Sequence, residues 1–226
     1  MNRSESPFWG YEDLALFVGA MLPSFAITRL IILPIRFPTT GEQVIAAQFV
    51  LYALALAILY VLVAARYGRP FWRSLGWTFR FSGILSCAVA GPALAIALSI
   101  FAFTLRTPPD NTIQKLITDR ASLMLVLVFT VFIGPVLEEL VFRGFLFPVL
   151  AHSFGSALGI VLTAIPFALL HVGTYGWTWQ ALLIVFIAGL VFGYARDRTG
   201  STIASTIIHM GYNGLYFGFL FAKYWR

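Results

Sequence analysis

Charge is scarce in this chain, and cysteine is scarcer. Of 226 residues only 11% are charged and 60% are hydrophobic. A soluble domain carries about 25% charged residues, so a water-surrounded globule is excluded and an integral membrane protein is expected. The single cysteine, Cys87, sits inside an apolar run, which excludes a disulfide framework and a cysteine-based zinc site. The opening stretch "MNRSESPFWGYED" has no small-residue cleavage pattern behind a short apolar core, so the first apolar run is expected to stay as an anchor. Acidic residues are few as well: nine, against 15 basic ones, for a net charge of +6. The cations are scattered among loops. That fits anionic lipid headgroups and speaks against nucleic acid as a partner.

What the chain has instead is hydrophobic length. Seven runs are long enough to cross about 30 Å of hydrocarbon: Asp13–Ile35, Gln43–Ala65, Phe81–Leu105, Ala121–Ala151, Phe154–Val172, Trp179–Ala195 and Thr202–Ala222. All should be helical, because lipid leaves an open sheet edge unsatisfied. The expected fold is therefore an all-α bundle of seven to eight transmembrane helices in one membrane domain, residues 1–226. The fourth run is too long for one straight span. Gly134, Pro135, Gly144 and Pro148 interrupt it, so it reads as a kinked helix or as a span plus a short extra helix. Residues 1–12 form a polar N-terminal segment. Residues 66–80, "RYGRPFWRSLGWTFR", interleave Arg66, Arg69, Arg73 and Arg80 with Phe71, Trp72, Trp77 and Phe79, the pattern of an amphipathic segment lying along the headgroups. Basic residues divide almost evenly between the two faces of a seven-span count, which leaves the orientation open.

From Ala121 to Ala195 the only charged residues are Glu138, Glu139 and Arg143. Each costs about 2.5–3.5 kcal/mol near the centre of a spanning helix on insertion scales, so each needs a reason. Glu139 and Arg143 are four apart and share a helix face, where they can neutralise each other. Glu138 is rotated by about 100° from Glu139 and has no such local partner, which makes it a functional-site candidate. Of the three histidines, His152 falls in a turn, while His171 and His209 lie in or at the edge of apolar runs. Counting about 1.5 Å per residue from the turn near residues 152–154, Glu138 and His171 lie roughly 23–27 Å from one face and His209 roughly 15 Å. Tilt and kinks can close such a gap, so the three are expected to converge. Asn213 follows His209 by one turn on the same face, and the pair offers two donors to a developing oxyanion.

These residues form three motifs in order: "EELVFR" (Glu138 to Arg143), "FALLH" (Phe167 to His171) and "HMGYN" (His209 to Asn213). Residues 120–215 thereby resemble the CAAX protease and bacteriocin-processing (CPBP, or Abi) family of intramembrane proteases, which includes the Rce1-type prenyl-protein endopeptidases. The resemblance implies an intramembrane endopeptidase with a catalytic core at 120–215. It implies a water activated by Glu138 and His171, an oxyanion stabilised by His209 and Asn213, and Glu139, Arg143 and Phe167 as supports. A zinc-dependent version would use Glu138, His171 and His209 as ligands, and a metal-free version would use Glu138 as general base. The lack of an H-E-x-x-H motif and the origin of these groups in three helices favour the metal-free version. No G-x-S-G serine motif occurs and no aspartate lies between residues 121 and 195, so no second proteolytic chemistry is on offer.

The implied partners are membrane lipids and a peptide or protein substrate, prenylated or not. The short chain, without organelle signals, points to a bacterial cell (inner) membrane. A non-proteolytic scaffold or immunity protein, or a transporter with an intramembrane polar site, uses the same residue types. The lack of an internal repeat counts against the transporter.

Overall fold

The structure is a computed structural model that describes residues 7–78, 83–108 and 112–224. The first half of the polar segment 1–12, and Phe79 and Arg80 of the basic-aromatic segment, lie outside the described residues. Every regular element among the described residues is a helix. In chain order these are α1 (Tyr11–Ile32), α2 (Thr40–Ala65), α3 (Phe71–Ser74), α4 (Ile84–Thr104) and α5 (Thr112–Leu116), followed by α6 (Arg120–Phe154), α7 (Ser156–Tyr175), α8 (Trp179–Thr199) and α9 (Thr202–Tyr224). Six of them (α1, α2, α4, α6, α7 and α8) are long and apolar enough to cross a membrane, which marks an integral membrane protein.

Six is below the seven to eight spans expected. The seventh run does form a helix of spanning length, α9, with 23 residues. It falls short in apolarity because it carries Ser205, Thr206, His209 and Asn213 among its apolar residues. Of these, Ser205, Thr206 and His209 are buried, so α9 turns its polar atoms toward protein and not toward lipid.

At the centre is α6, a single helix of 35 residues. Half of its most apolar window is buried, against 17% in α1, α2 and α4, whose outer faces present side chains such as Leu22, Leu30 and Phe103 to lipid. Two prolines shape it. At the first, the Gly134 N–H bonds back to the Phe129 carbonyl, a π-type step, and Pro135 has no N–H to offer the next carbonyl, that of Thr130. At the second, the Phe147 N–H bonds to the Phe142 carbonyl, and Pro148 leaves the Arg143 carbonyl without its helical donor. Each orphaned acceptor is met by a side chain from another helix: Asn213 Nδ2 reaches the Thr130 oxygen (2.8 Å) and Arg196 Nε the Arg143 oxygen (3.2 Å). Trp9 Nε1, just before α1, donates to the Phe145 oxygen in the same irregular stretch (2.9 Å). Defects in the helix ladder thus serve as its attachment points.

The basic-aromatic segment contains one helical turn, α3, with Phe71 and Leu75 buried and Trp72 exposed. Its following residues cap the start of α9. Thr202 donates its N–H to the Gly76 carbonyl (2.8 Å) and its hydroxyl to the Leu75 carbonyl, and the Ser201 hydroxyl donates to the Thr78 carbonyl. Gly76 has φ +70, and a Cβ there would press on the Arg196 guanidinium. Near the same level Asp13 ties α1 to the end of α2, accepting from the Tyr67 hydroxyl (2.7 Å) and facing Arg66 (3.6 Å). That hydrogen bond to Asp13 pushes the Tyr67 phenol above its usual range. On the other side of the bundle Asp119 starts α6 by accepting the Ser122 N–H (2.7 Å), and the same bond holds its carboxyl below the usual range.

Between spans there is little hydrophobic force to exploit, since lipid is as apolar as leucine, and close approach of small residues takes over. The α4–α9 crossing shows it: a Cβ on Gly91 would overlap the Ile208 carbonyl oxygen and lie 2.9 Å from Gly211 Cα. Gly91→Ala is therefore expected to destabilise the protein by about 1–3 kcal/mol, the range for overpacking. Gly19→Ala on α1, where a Cβ meets nothing within 4 Å, should cost nothing. Unfolding midpoints in detergent compare the two.

Candidate active site

The site is built where the two irregular turns of α6 bring its acidic residues against α9. Glu139 and Arg143 are both fully buried, with Arg143 Nη1 3.0 Å from Glu139 Oε1. A buried pair of this kind costs least when its remaining donors are engaged. That condition is met here at Nη2 but not at Arg143 Nε, which is buried with no hydrogen-bond partner among the described residues. Arg143 Nη2 donates to the Gly189 carbonyl of α8 (2.8 Å). The guanidinium carbon lies 4.4 Å from the Phe167 ring centroid and 5.4 Å from that of Phe192, so aromatic faces take up part of the cation's field.

His209 stands between the two glutamates. Its Nδ1 is 3.1 Å from Glu139 Oε1, and its Nε2 is 3.9 Å from Glu138 Oε2. The Glu139 oxygen already serves Arg143 as an acceptor, so the hydrogen between Glu139 and His209 belongs on Nδ1. That assignment leaves Nε2 facing Glu138, with a lone pair in the neutral ring or a second donor in the imidazolium. The ring is held flat by Phe192, stacked at 4.5 Å with a 21° interplanar angle. Glu138 is the more accessible carboxylate, its side chain 19% exposed, and its Oε1 accepts from the Tyr52 hydroxyl at 2.8 Å.

Phe167 is buried and lies between the imidazoles, 5.0 Å from the ring of His171 and 5.8 Å from that of His209. His171, half-buried at the end of the regular part of α7, directs Nδ1 to the Phe167 carbonyl (2.8 Å). Among the described residues its Nε2 has no hydrogen-bond partner, and it is not within ion-pairing distance of Glu138. Asn213 faces α6 as His209 does, but its amide is already engaged with the Thr130 carbonyl, and one amide hydrogen remains. His152 is exposed in the last turn of α6, away from this cluster.

The structure therefore brings together Glu138, Glu139, Arg143, Phe167, His209 and Asn213, with His171 joined to them through the Phe167 ring. The three residues that would hold zinc, Glu138, His171 and His209, do not form a ligand set. No group of three His, Cys, Asp or Glu side chains among the described residues is placed to hold a metal ion. His209 Nδ1 is bonded to Glu139, which leaves Nε2 as the ring nitrogen that faces the site.

Sequence reasoning missed Tyr52, Phe192, Arg196 and the Gly189 carbonyl. For Tyr52 a signal existed: a phenol inside the apolar "FVLYALALA" needs a partner for its hydroxyl once buried. For Arg196 the signal was its place one turn before the end of α8, directly after an apolar run. Gly189 offers only backbone and gave none.

Residues 120–215 match the Rce1-like family. The matching family model is described as type II CAAX prenyl endopeptidase Rce1-like. No curated protein and no solved structure gives a significant match to the chain. The Rce1-like stretch runs from the start of α6 into α9 and contains each of the motif residues above, whereas Tyr52 on α2 and Trp9 lie outside it. The match supports a CAAX-type intramembrane protease in general terms.

The proline-orphaned carbonyl yields a direct test of how Asn213 is held. Asn213→Leu leaves the Thr130 oxygen unpaired and should destabilise the protein by about 1–3 kcal/mol. Pro135→Ala returns a helical N–H at the position that oxygen needs, so the double variant should recover part of the loss. A double-mutant cycle on unfolding midpoints reads the coupling.

Proposed function

We propose that this chain is an intramembrane endopeptidase that hydrolyses a peptide bond at the membrane, with Glu138 as general base. The observation that carries the reading is the His209 ring held between Glu138 and the buried Glu139–Arg143 pair, inside the Rce1-like stretch. A carboxylate that is partly accessible beside one that is fully neutralised separates a reacting group from a supporting one.

In this reading a water gives its proton to Glu138 as its oxygen attacks the scissile carbonyl carbon, with the free Nε2 of His171 as the second group that orients it. The carbonyl π electrons move to oxygen. His209, as the imidazolium that also donates Nδ1–H to Glu139, gives its Nε2–H to that oxyanion together with the remaining amide hydrogen of Asn213. When the tetrahedral intermediate collapses, the C–N bond breaks and Glu138 returns the proton to the leaving amine. Glu139 keeps the imidazole oriented by accepting from Nδ1, and Arg143 keeps Glu139 charged. The low dielectric strengthens each of these contacts. The substrate is a membrane-associated peptide segment, and a prenyl group on it would be seated in the surrounding lipid.

Glu138→Gln and His171→Ala are each expected to lose about 10²–10⁴-fold in kcat, the range for a general base. The measurement is cleavage of a panel of membrane-anchored peptides, with and without a prenyl group, by purified protein in proteoliposomes. Equal cleavage by wild type and both variants would overturn the assignment. A preference for the prenylated member of each peptide pair would fix the substrate class.

A further inference from the structure

The part of the chain outside the Rce1-like stretch also reaches the site, through one atom. Tyr52, on α2, donates its hydroxyl hydrogen to Glu138 Oε1 at 2.8 Å. A carboxylate has no hydrogen to give, so the direction of this bond is fixed. Among the described residues it is the one hydrogen bond made by that oxygen, while the other, Oε2, faces His209 Nε2 at 3.9 Å. The two oxygens of Glu138 are thus assigned different neighbours.

The phenol is itself held in place. Its ring packs against Phe129 with centroids 5.0 Å apart, and Phe129 packs edge-on against Phe49 at 5.1 Å. Phe129 opens the first irregular turn of α6, the turn whose Thr130 carbonyl is held by Asn213. The support of the donor and the support of the oxyanion-side amide therefore share one turn of helix.

We infer that Tyr52 is a positioning residue for the hydrolytic step: it binds Glu138 Oε1 and leaves Oε2 as the oxygen that exchanges a proton with water. This rests on the proposed role of Glu138. The carboxylate group would otherwise rotate about its terminal bond, which is soft for glutamate, and would spread its basicity over two orientations. Fixing it keeps one oxygen in reach of both the attacking water and His209, and such orientation is a large part of what an active site supplies. Tyr52 acts through Glu138 and needs no contact with substrate.

Tyr52→Phe removes the hydroxyl and keeps the ring. In proteoliposomes kcat is expected to fall about 10- to 100-fold, the scale of a small misplacement of a catalytic group, with KM within about twofold because substrate contacts stay intact. The carboxylate stretching band assigned to Glu138, found as the infrared band that disappears in Glu138→Gln, should shift in Tyr52→Phe. A second variant, Phe129→Leu, keeps the hydroxyl but removes its ring support, and should lower kcat by a smaller factor at unchanged KM. An unchanged kcat in both variants, or a raised KM at unchanged kcat, would overturn the positioning role. If Glu138→Gln cleaves as well as wild type, the role of Glu138 falls and the inference with it. If Glu138→Gln is inactive while Tyr52→Phe is fully active with an unshifted band, the inference alone is wrong.

Discussion

A fully buried ion pair, Glu139 with Arg143, is the constraint around which the rest is arranged. In a low-dielectric interior an uncompensated charge is far more costly than any single packing defect, so everything near the pair has to serve it. The helix α6 supplies both members one turn apart. The α8 backbone satisfies one guanidinium nitrogen at Gly189, the Phe167 and Phe192 rings cover the cation, and α9 brings His209 to the anion. Four helices are thereby fixed relative to each other by one charged contact and its neutral surroundings. The partly exposed Glu138 stands outside that pair and is joined instead to Tyr52 of α2.

Prolines make the second contribution, by subtraction. Pro135 and Pro148 each deny a carbonyl its donor, and the two oxygens so freed are those reached by Asn213 and Arg196. A regular α6 would have no backbone acceptor to spare, and α8 and α9 would need further polar side chains to grip it in lipid. The irregularity costs the helix two ladder bonds and returns two bonds between helices.

Much of this was legible in the sequence, and the reason is distance along the chain. Glu139 and Arg143 are one turn apart, so helical periodicity alone pairs them. Hydropathy marked the helices, and Gly and Pro marked α6 as irregular. The order of the three motifs pointed to the segment that the family match covers. Less legible were contacts between residues far apart in sequence. Tyr52 meets Glu138 across 86 positions, and nothing local in "FVLYALALA" names its partner. Periodicity could say that Glu138 faces away from Arg143, but not that His209 would reach both carboxylates. The count of spans came out high because run length was weighed and the purpose of polar residues within a run was not: α9 is less apolar because its serine, threonine and histidine side chains turn inward.

The carbonyls that receive Ser201 and Thr202 have a further consequence. A helix surrounded by smooth lipid can slide along its own axis or turn about it at small cost. For α9 either motion would be ruinous, since one residue of slip raises His209 by about 1.5 Å and swings it by about 100°. The loop after α3 grips the first turn of α9 at three backbone oxygens, at the end of the helix lying roughly 10 Å from His209. It is a mechanical stop that sets the height and bearing of the imidazole from the membrane surface, far from the chemistry that depends on it.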